Sequence, residues 1–123
     1  MLSVGTDIVE VNRIKVLIER YSLRFLNRIF SNEEIKYCEN MANPAIHYAG
    51  RFSAKEAVIK ALSNRKDQRK FLSYNKISIS NNNTGKPFVS CDTVDSDNIH
   101  ISISHTKEHA IAFAIYSRDD KSS

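Results

Sequence analysis

The sequence predicts a single α+β domain: an N-terminal strand, several helices including a long central one, then antiparallel hairpins. Three observations carry this. Apolar residues recur at helical spacing through the first half of the 123 residues and alternate with polar ones through the second. The period changes across a charged, polar break at 63–70, which reads as a loop. Between 51 and 62 there is neither Gly nor Pro, and good helix formers dominate.

The chain opens with β-like Leu2-Ser3-Val4-Gly5, then Thr6-Asp7-Ile8-Val9. A glycine inside a strand marks a bulge or a close backbone approach. Asp7, two residues on, is either a turn or capping aspartate or a functional carboxylate. Asn12 is placed to cap a helix whose core face is Ile14, Leu17, Ile18 and Tyr21. Ser22 interrupts or restarts it before Phe25, Leu26, Ile29 and Phe30. Ser31-Asn32-Glu33-Glu34 is a capping box for a short third helix. Asn43-Pro44 supplies an N-cap and a proline at the first helical position. The helix it opens runs to Leu62, roughly 28 Å at the α-helical rise. Gly50 inside that helix hints at close packing against another backbone.

Beyond the break, Ile77-Ser78-Ile79-Ser80 alternates, 81–85 is a turn cluster, and Lys86-Pro87-Phe88-Val89-Ser90 returns as strand. Alternation resumes in Ile99-His100-Ile101-Ser102-Ile103-Ser104, turns at 105–109, and returns through 110–116. The polar tail 117–123 is expected to fray. No linker or internal repeat divides 1–123.

Composition narrows the function. Hydrophobic residues are 41% and charged residues 26%, as in ordinary globular proteins. No apolar run approaches the ~20 residues of a membrane span. The N-terminus lacks the pattern of a signal peptide, so a cytoplasmic location is the default expectation. Cys38 and Cys91 are too few and too distant for a disulfide framework or zinc site and read as core thiols. The net charge of +4 favours acidic partners. The aromatic residues do not alternate with Arg and Lys as on single-strand stacking platforms.

Two stretches concentrate charge. On the helix around 51–62, Ala54, Ala57, Val58, Ala61 and Leu62 form a wide apolar arc, with Phe52 and Ile59 across the axis. Ser53, Glu56 and Lys60 fill one seam, Arg51 and Lys55 the other. Charges in a packed seam need partners. Glu56 and Lys60 can pair at i,i+4, or the group can serve a phosphate ligand with a metal ion. The second stretch is basic: Arg20, Arg24 and Arg28 succeed one another at i,i+4, Arg13 precedes Arg20 by a heptad, and Glu19 is the only acid from 12 to 31. Such a run is either a solvated face or a docking surface.

Four pieces in this order, Gly5-Thr6-Asp7-Ile8-Val9-Glu10-Val11, Arg51-Phe52-Ser53-Ala54-Lys55-Glu56-Ala57 with Lys60-Ala61, Gly85-Lys86-Pro87, and Ser102-Ile103-Ser104-His105-Thr106, closely resemble the holo-acyl-carrier-protein synthases. These are small bacterial 4′-phosphopantetheinyl transferases. The resemblance implies that family's fold from about Leu2 to Tyr116. It also implies Mg²⁺-dependent transfer of the 4′-phosphopantetheine arm of coenzyme A to a serine of apo acyl carrier protein, in support of fatty acid biosynthesis. Asp7 and Glu56 would bind the metal, and Lys55 and Lys60, with Arg51 as a further candidate, would face the phosphates. Ser104, His105 and Thr106 would attend the adenosine end of coenzyme A, with Gly85, Lys86 and Pro87 nearby. Asp7, Glu56 and Lys60 form the implied catalytic set, with Glu56 the first choice as proton acceptor. Arg13, Arg20, Arg24 and Arg28 would dock the acidic carrier protein, and the chain would form a homotrimer with active sites at subunit interfaces. His47, His100 and His109 match no motif and read as structural.

One departure stands out: where relatives carry a Gly-Thr-Gly type loop, this chain has Ser63-Asn64-Arg65-Lys66. Two other readings compete. A metal-dependent nuclease using Asp7, Glu56 and Lys60 fits poorly, since that chemistry places its carboxylate and lysine on a strand. A non-catalytic basic module binding RNA or an acidic protein leaves the Asp7 and Glu56 pair without a purpose. The transferase reading expects neither nucleic acid nor membrane as partner.

Overall fold

The computed structural model describes residues 1–63, 73–91 and 96–117. In chain order these form β1 (Leu2–Glu10), α1 (Val11–Tyr21), α2 (Leu23–Ile29), α3 (Asn32–Glu39), α4 (Pro44–Leu62), a 3₁₀ turn at Tyr74–Lys76, β2 (Ile77–Asn81), β3 (Pro87–Cys91), a second 3₁₀ turn at Ser96–Asn98, β4 (Ile99–His105) and β5 (His109–Ser117). The α+β expectation holds. Periodicity could not reveal the pairing: β1 joins the far end of the chain, giving an antiparallel sheet ordered β1-β5-β4, while β2 and β3 form a separate hairpin.

Strand β1 is continuous, so Asp7 lies inside a strand, opposite Ala112, and is neither a turn nor a cap. α1 starts at Val11, with Glu10 at the N-cap position and no side-chain cap. Asn12 is therefore already helical, because the chain turns directly out of the strand. In α1 Val11 and Ile14 are buried, Leu17 and Ile18 partly so, and Tyr21 is exposed. Ser22, at φ +47°, breaks the helix, so Arg20 lies on α1 and Arg24 and Arg28 on α2. The arginines do not form one helical stripe, although all four, with Arg13, are exposed. The capping box of α3 forms in full, with Ser31 Oγ accepting from Glu34 N–H and Glu34 Oε1 accepting from Ser31 N–H.

α4 is the centre of the packing. Its arc of Ala54, Ala57, Val58, Ala61 and Leu62 is essentially inaccessible, in one core with Ile77, Ile79, Val89, Ile101, Ala112 and Ala114. Burying Val58 and Leu62 stabilises the fold by ~1.5–3 kcal/mol each. Toward its start, Tyr48 and Ala49 join a second core with Ile14, Leu26, Ile29, Phe30 and Cys38. Glycine brings backbones together at Gly5, not Gly50: a Cβ on Gly5 would lie 2.1 Å from the Ala57 carbonyl oxygen. A Cβ on Gly50 would meet only a methyl of Ile103, at 3.2 Å. Small residues thus let β1 lie on the last turns of α4, and Ser3 Oγ donates to the Ala61 carbonyl there. Both cysteines are buried, as expected of core thiols, and burial pushes the Cys38 thiol up to about 12.

The outer face of the three-stranded sheet carries an apolar patch. Leu2, Val4 and Ile8 are each more than half exposed, beside Ile111 and Phe113. No described helix is long and apolar enough to cross a membrane.

Candidate active site

Side chains alternate along β1, so Ser3, Gly5, Asp7 and Val9 all turn toward α4. That brings Asp7 to Lys60: Lys60 Nζ lies 3.1 Å from Asp7 Oδ1 and donates to the Thr6 carbonyl at 3.0 Å. The lysine side chain is 52% exposed and that of Asp7 16%. Glu56, one turn before Lys60, is half-buried and accepts a short hydrogen bond on Oε1 from the Tyr74 hydroxyl. The alternative in which Glu56 and Lys60 pair with each other gives way to two longer-range partners. Burial, the bond to Glu56 and the nearby charges of Glu56 and Asp7 push the Tyr74 phenol up to about 12, with Arg13 acting the other way. Asp7, Glu56, Tyr74 and Arg13 therefore share one electrostatic neighbourhood, with Lys60 at its rim.

Lys55 is elsewhere. It is fully buried, 2.6 Å from Glu34 Oε1, and its ammonium donates to the carbonyls of Ile29 and Tyr74 at 2.8 and 2.9 Å. Three partners exhaust its three N–H donors, so no phosphate reaches it within the chain and its expected ligand role is corrected to a structural one. Burial lowers its pKa, opposed chiefly by Glu34. Glu34 in turn accepts from the Ile79 N–H on Oε2, tying α3 and α4 to β2.

Arg51 is likewise turned inward. It donates to Asn81 Oδ1 at 2.6 Å and lies 3.9 Å over the Tyr37 ring, and among the described residues its buried Nε has no hydrogen-bond partner. Its direct role toward phosphate is replaced by support: Asn81 Nδ2 donates to the Gly85 carbonyl, which tethers the hairpin carrying Gly85, Lys86 and Pro87. Gly85, at φ +84°, meets the conformational demand of that turn, and Lys86 is exposed.

The last motif divides between the two faces of the sheet. Ile103 and His105 point to α4, Ile103 against Gly50 and His105 edge-on to His47 with ring centroids 5.8 Å apart. Ser104 points the other way, beside Ser102, Ile111 and Phe113. Thr106 Oγ1 organises the turn by accepting from the N–H groups of Glu108 and His109. His47 is thus a neighbour of the motif and not an isolated structural residue; burial, then His105 and Arg51, lower its pKa. Along α4, His47 and Glu56 are about 14 Å apart. Within one chain, Asp7, Glu56 and Lys60 come together, and the Ser104–His105 motif stays apart from them. Asn64, Arg65 and Lys66 of the departing loop lie outside the described residues, as does the tail from 118 to 123.

A family model described as the 4′-phosphopantetheinyl transferase superfamily matches residues 3–114. The chain belongs to this superfamily. It is 45% identical over 121 residues to a holo-[acyl-carrier-protein] synthase of Protochlamydia amoebophila, covering 94% of this chain and 98% of that protein. A second, from Thermodesulfovibrio yellowstonii, is 45% identical over 112 residues, covering 91% and 95%. Among solved structures, the holo-[acyl-carrier-protein] synthase of Helicobacter pylori in complex with coenzyme A matches with a TM-score of 0.79 at 32% identity, covering 93% of this chain and 99% of that one. The Bacillus anthracis enzyme, in complex with CoA (3′,5′-ADP), matches with a TM-score of 0.76 at 31% identity, covering 93% and 94%.

Sequence reasoning missed Tyr74, Glu34 and Asn81 as residues around the site. Tyr74 follows the polar loop and carries no periodic signal. Glu34 was legible only as a cap, and its second duty toward Lys55 depends on α3 packing against α4.

Proposed function

We propose that the protein is a holo-acyl-carrier-protein synthase, transferring the 4′-phosphopantetheine arm of coenzyme A to a serine of apo acyl carrier protein and releasing adenosine 3′,5′-bisphosphate. The observation that carries the reading is the meeting of Asp7, Glu56 and Lys60, from β1 and the last turns of α4, beside an open surface. Among the described residues no three His, Cys, Asp or Glu side chains gather as a complete metal cage. Two carboxylates nevertheless fit Mg²⁺, which commonly takes one or two carboxylates and completes its shell with water and substrate phosphate. Asp7 and Glu56 would hold it. When bound, the ion would neutralise pyrophosphate charge as the phosphoryl group moves.

Lys60 keeps a half-exposed ammonium at the rim, where it would offer positive charge to a phosphate. The serine oxygen forms a bond to the β-phosphorus while the bond to adenosine bisphosphate breaks, and Glu56 is the group suited to accept the serine's proton. His105, Thr106, Ser104 and the Gly85-Lys86-Pro87 hairpin form the second half-site, for the adenosine end of coenzyme A. A homotrimer would unite the halves, because within one chain His105 lies beside His47, about 14 Å along α4 from Glu56, and an adjacent subunit could supply the missing half. The apolar patch of Leu2, Val4, Ile8, Ile111 and Phe113 suits such a contact. Exposed Arg13, Arg20, Arg24 and Arg28, with apolar Leu17 and Phe25 beside the last two, suit an acidic carrier protein whose capture weakens with salt.

The test is the intact mass of an apo acyl carrier protein after incubation with this protein, coenzyme A and Mg²⁺. The expected result is the gain of one phosphopantetheine arm, abolished by EDTA. No gain, with a carrier that another transferase modifies, would overturn the reading.

A further inference from the structure

Tyr74 is held by three residues of α4, at positions 52, 55 and 56. Its ring stacks on Phe52, centroids 5.7 Å apart and planes 22° from parallel. Its carbonyl accepts from Lys55 Nζ at 2.9 Å, and its hydroxyl donates to Glu56 Oε1. The middle anchor is fixed in its turn, since Lys55 is buried against Glu34, which binds the backbones of Ser31 and Ile79. A residue at the end of a polar loop is thereby fixed by ring and backbone, with its one polar side-chain atom directed at a carboxylate.

A Glu side chain has three rotatable bonds, and ordering it costs rotamer freedom. A donor already fixed in place can meet that cost before a ligand arrives. Tyr74 engages Oε1 and leaves Oε2 for a further partner, in the neighbourhood where Asp7 stands. Partners behind metal-binding side chains act in this way, orienting the ligand atom. Lys55, whose charge no phosphate reaches within the chain, gains a purpose: it holds the backbone of the residue that orients Glu56.

We propose that Tyr74 is a positioning residue for the metal half-site, orienting Glu56 through its hydroxyl, with the buried Lys55–Glu34 pair as its anchor. The proposal rests on the reading of Asp7 and Glu56 as the Mg²⁺ ligands. It concerns the tyrosine hydroxyl alone, so Tyr74→Phe isolates it: the ring stack and the carbonyl bond to Lys55 both survive that change.

The experiment titrates Mn²⁺ alone into the full chain and follows free Mn²⁺ by electron paramagnetic resonance, for wild type, Tyr74→Phe and Asp7→Asn, with the thermal midpoint of each. Substitutions behind metal ligands typically weaken affinity ~10–100-fold. Tyr74→Phe is expected to bind Mn²⁺ about tenfold more weakly than wild type, at an almost unchanged melting midpoint. Transfer assays should show kcat recovering as Mg²⁺ is raised. Wild-type Mn²⁺ affinity in Tyr74→Phe, with Asp7→Asn weakened, would overturn the role of Tyr74 and leave the metal site standing. Wild-type affinity in both variants would overturn the metal site and the role of Tyr74 with it.

Discussion

Lys55 and Lys60 stand five residues apart on α4 and differ in almost every respect that governs a charge. Lys55 is sealed between α3, the end of α2 and the 3₁₀ turn, with one carboxylate and two carbonyls about it. Lys60 is half in water and meets Asp7 at 3.1 Å. Five residues rotate a side chain by about 140° around a helix, enough to carry it from a seam into an open cleft. A buried ion pair contributes strongly only in the sense that breaking it leaves the other charge uncompensated. An exposed pair adds little to stability and leaves the lysine free to change partner.

The largest expected effect breaks the buried member. Lys55→Met should cost ~3–5 kcal/mol, because Glu34 is left as an unpaired buried charge, and urea unfolding would measure it. Lys60→Ala should change stability by less than about 0.5 kcal/mol while lowering kcat/KM for transfer ~10²–10³-fold, as losing a donor to developing charge commonly does. Equal stability losses in the two variants would contradict the contrast.

The glycines sharpen the same comparison between the two ends of α4. Gly5→Ala would drive a Cβ to 2.1 Å from the Ala57 carbonyl oxygen, where backbone must move. A loss of about 3 kcal/mol is expected, the upper range for overpacking. Gly50→Ala asks only that the Ile103 methyl shift a little from 3.2 Å, while alanine gains about 0.5–1 kcal/mol of helix preference over glycine. Its net effect should stay under about 1 kcal/mol, which thermal melts of the two variants would check.

The smallest effect concerns His47. Its folded pKa lies below the ordinary 6.5, chiefly through burial. Between that lowered value and 6.5 the unfolded chain binds more protons, so His47 makes stability rise with pH there and fall on acidification. An NMR titration should find its midpoint below 6.5, and His47→Gln should flatten the slope of stability against pH in that window.

The sequence by itself determined what depends on local rules. The capping box at Ser31, the start of α4 at Pro44, the break at Ser22 and the two hairpins follow from side chains acting on their own backbone within a few residues. The four motifs likewise named Asp7, Glu56, Lys60 and His105 as residues to watch. Tertiary structure alone decided their relations. That β1 pairs with β5 is a contact across the whole chain, and the packing of β1 on α4 puts Asp7 beside Lys60. The same holds for Lys55 and Arg51, which have the composition of phosphate ligands but are buried against Glu34 and Asn81. Burial is a property of what packs on a helix face, and periodicity gives the face without naming the neighbour.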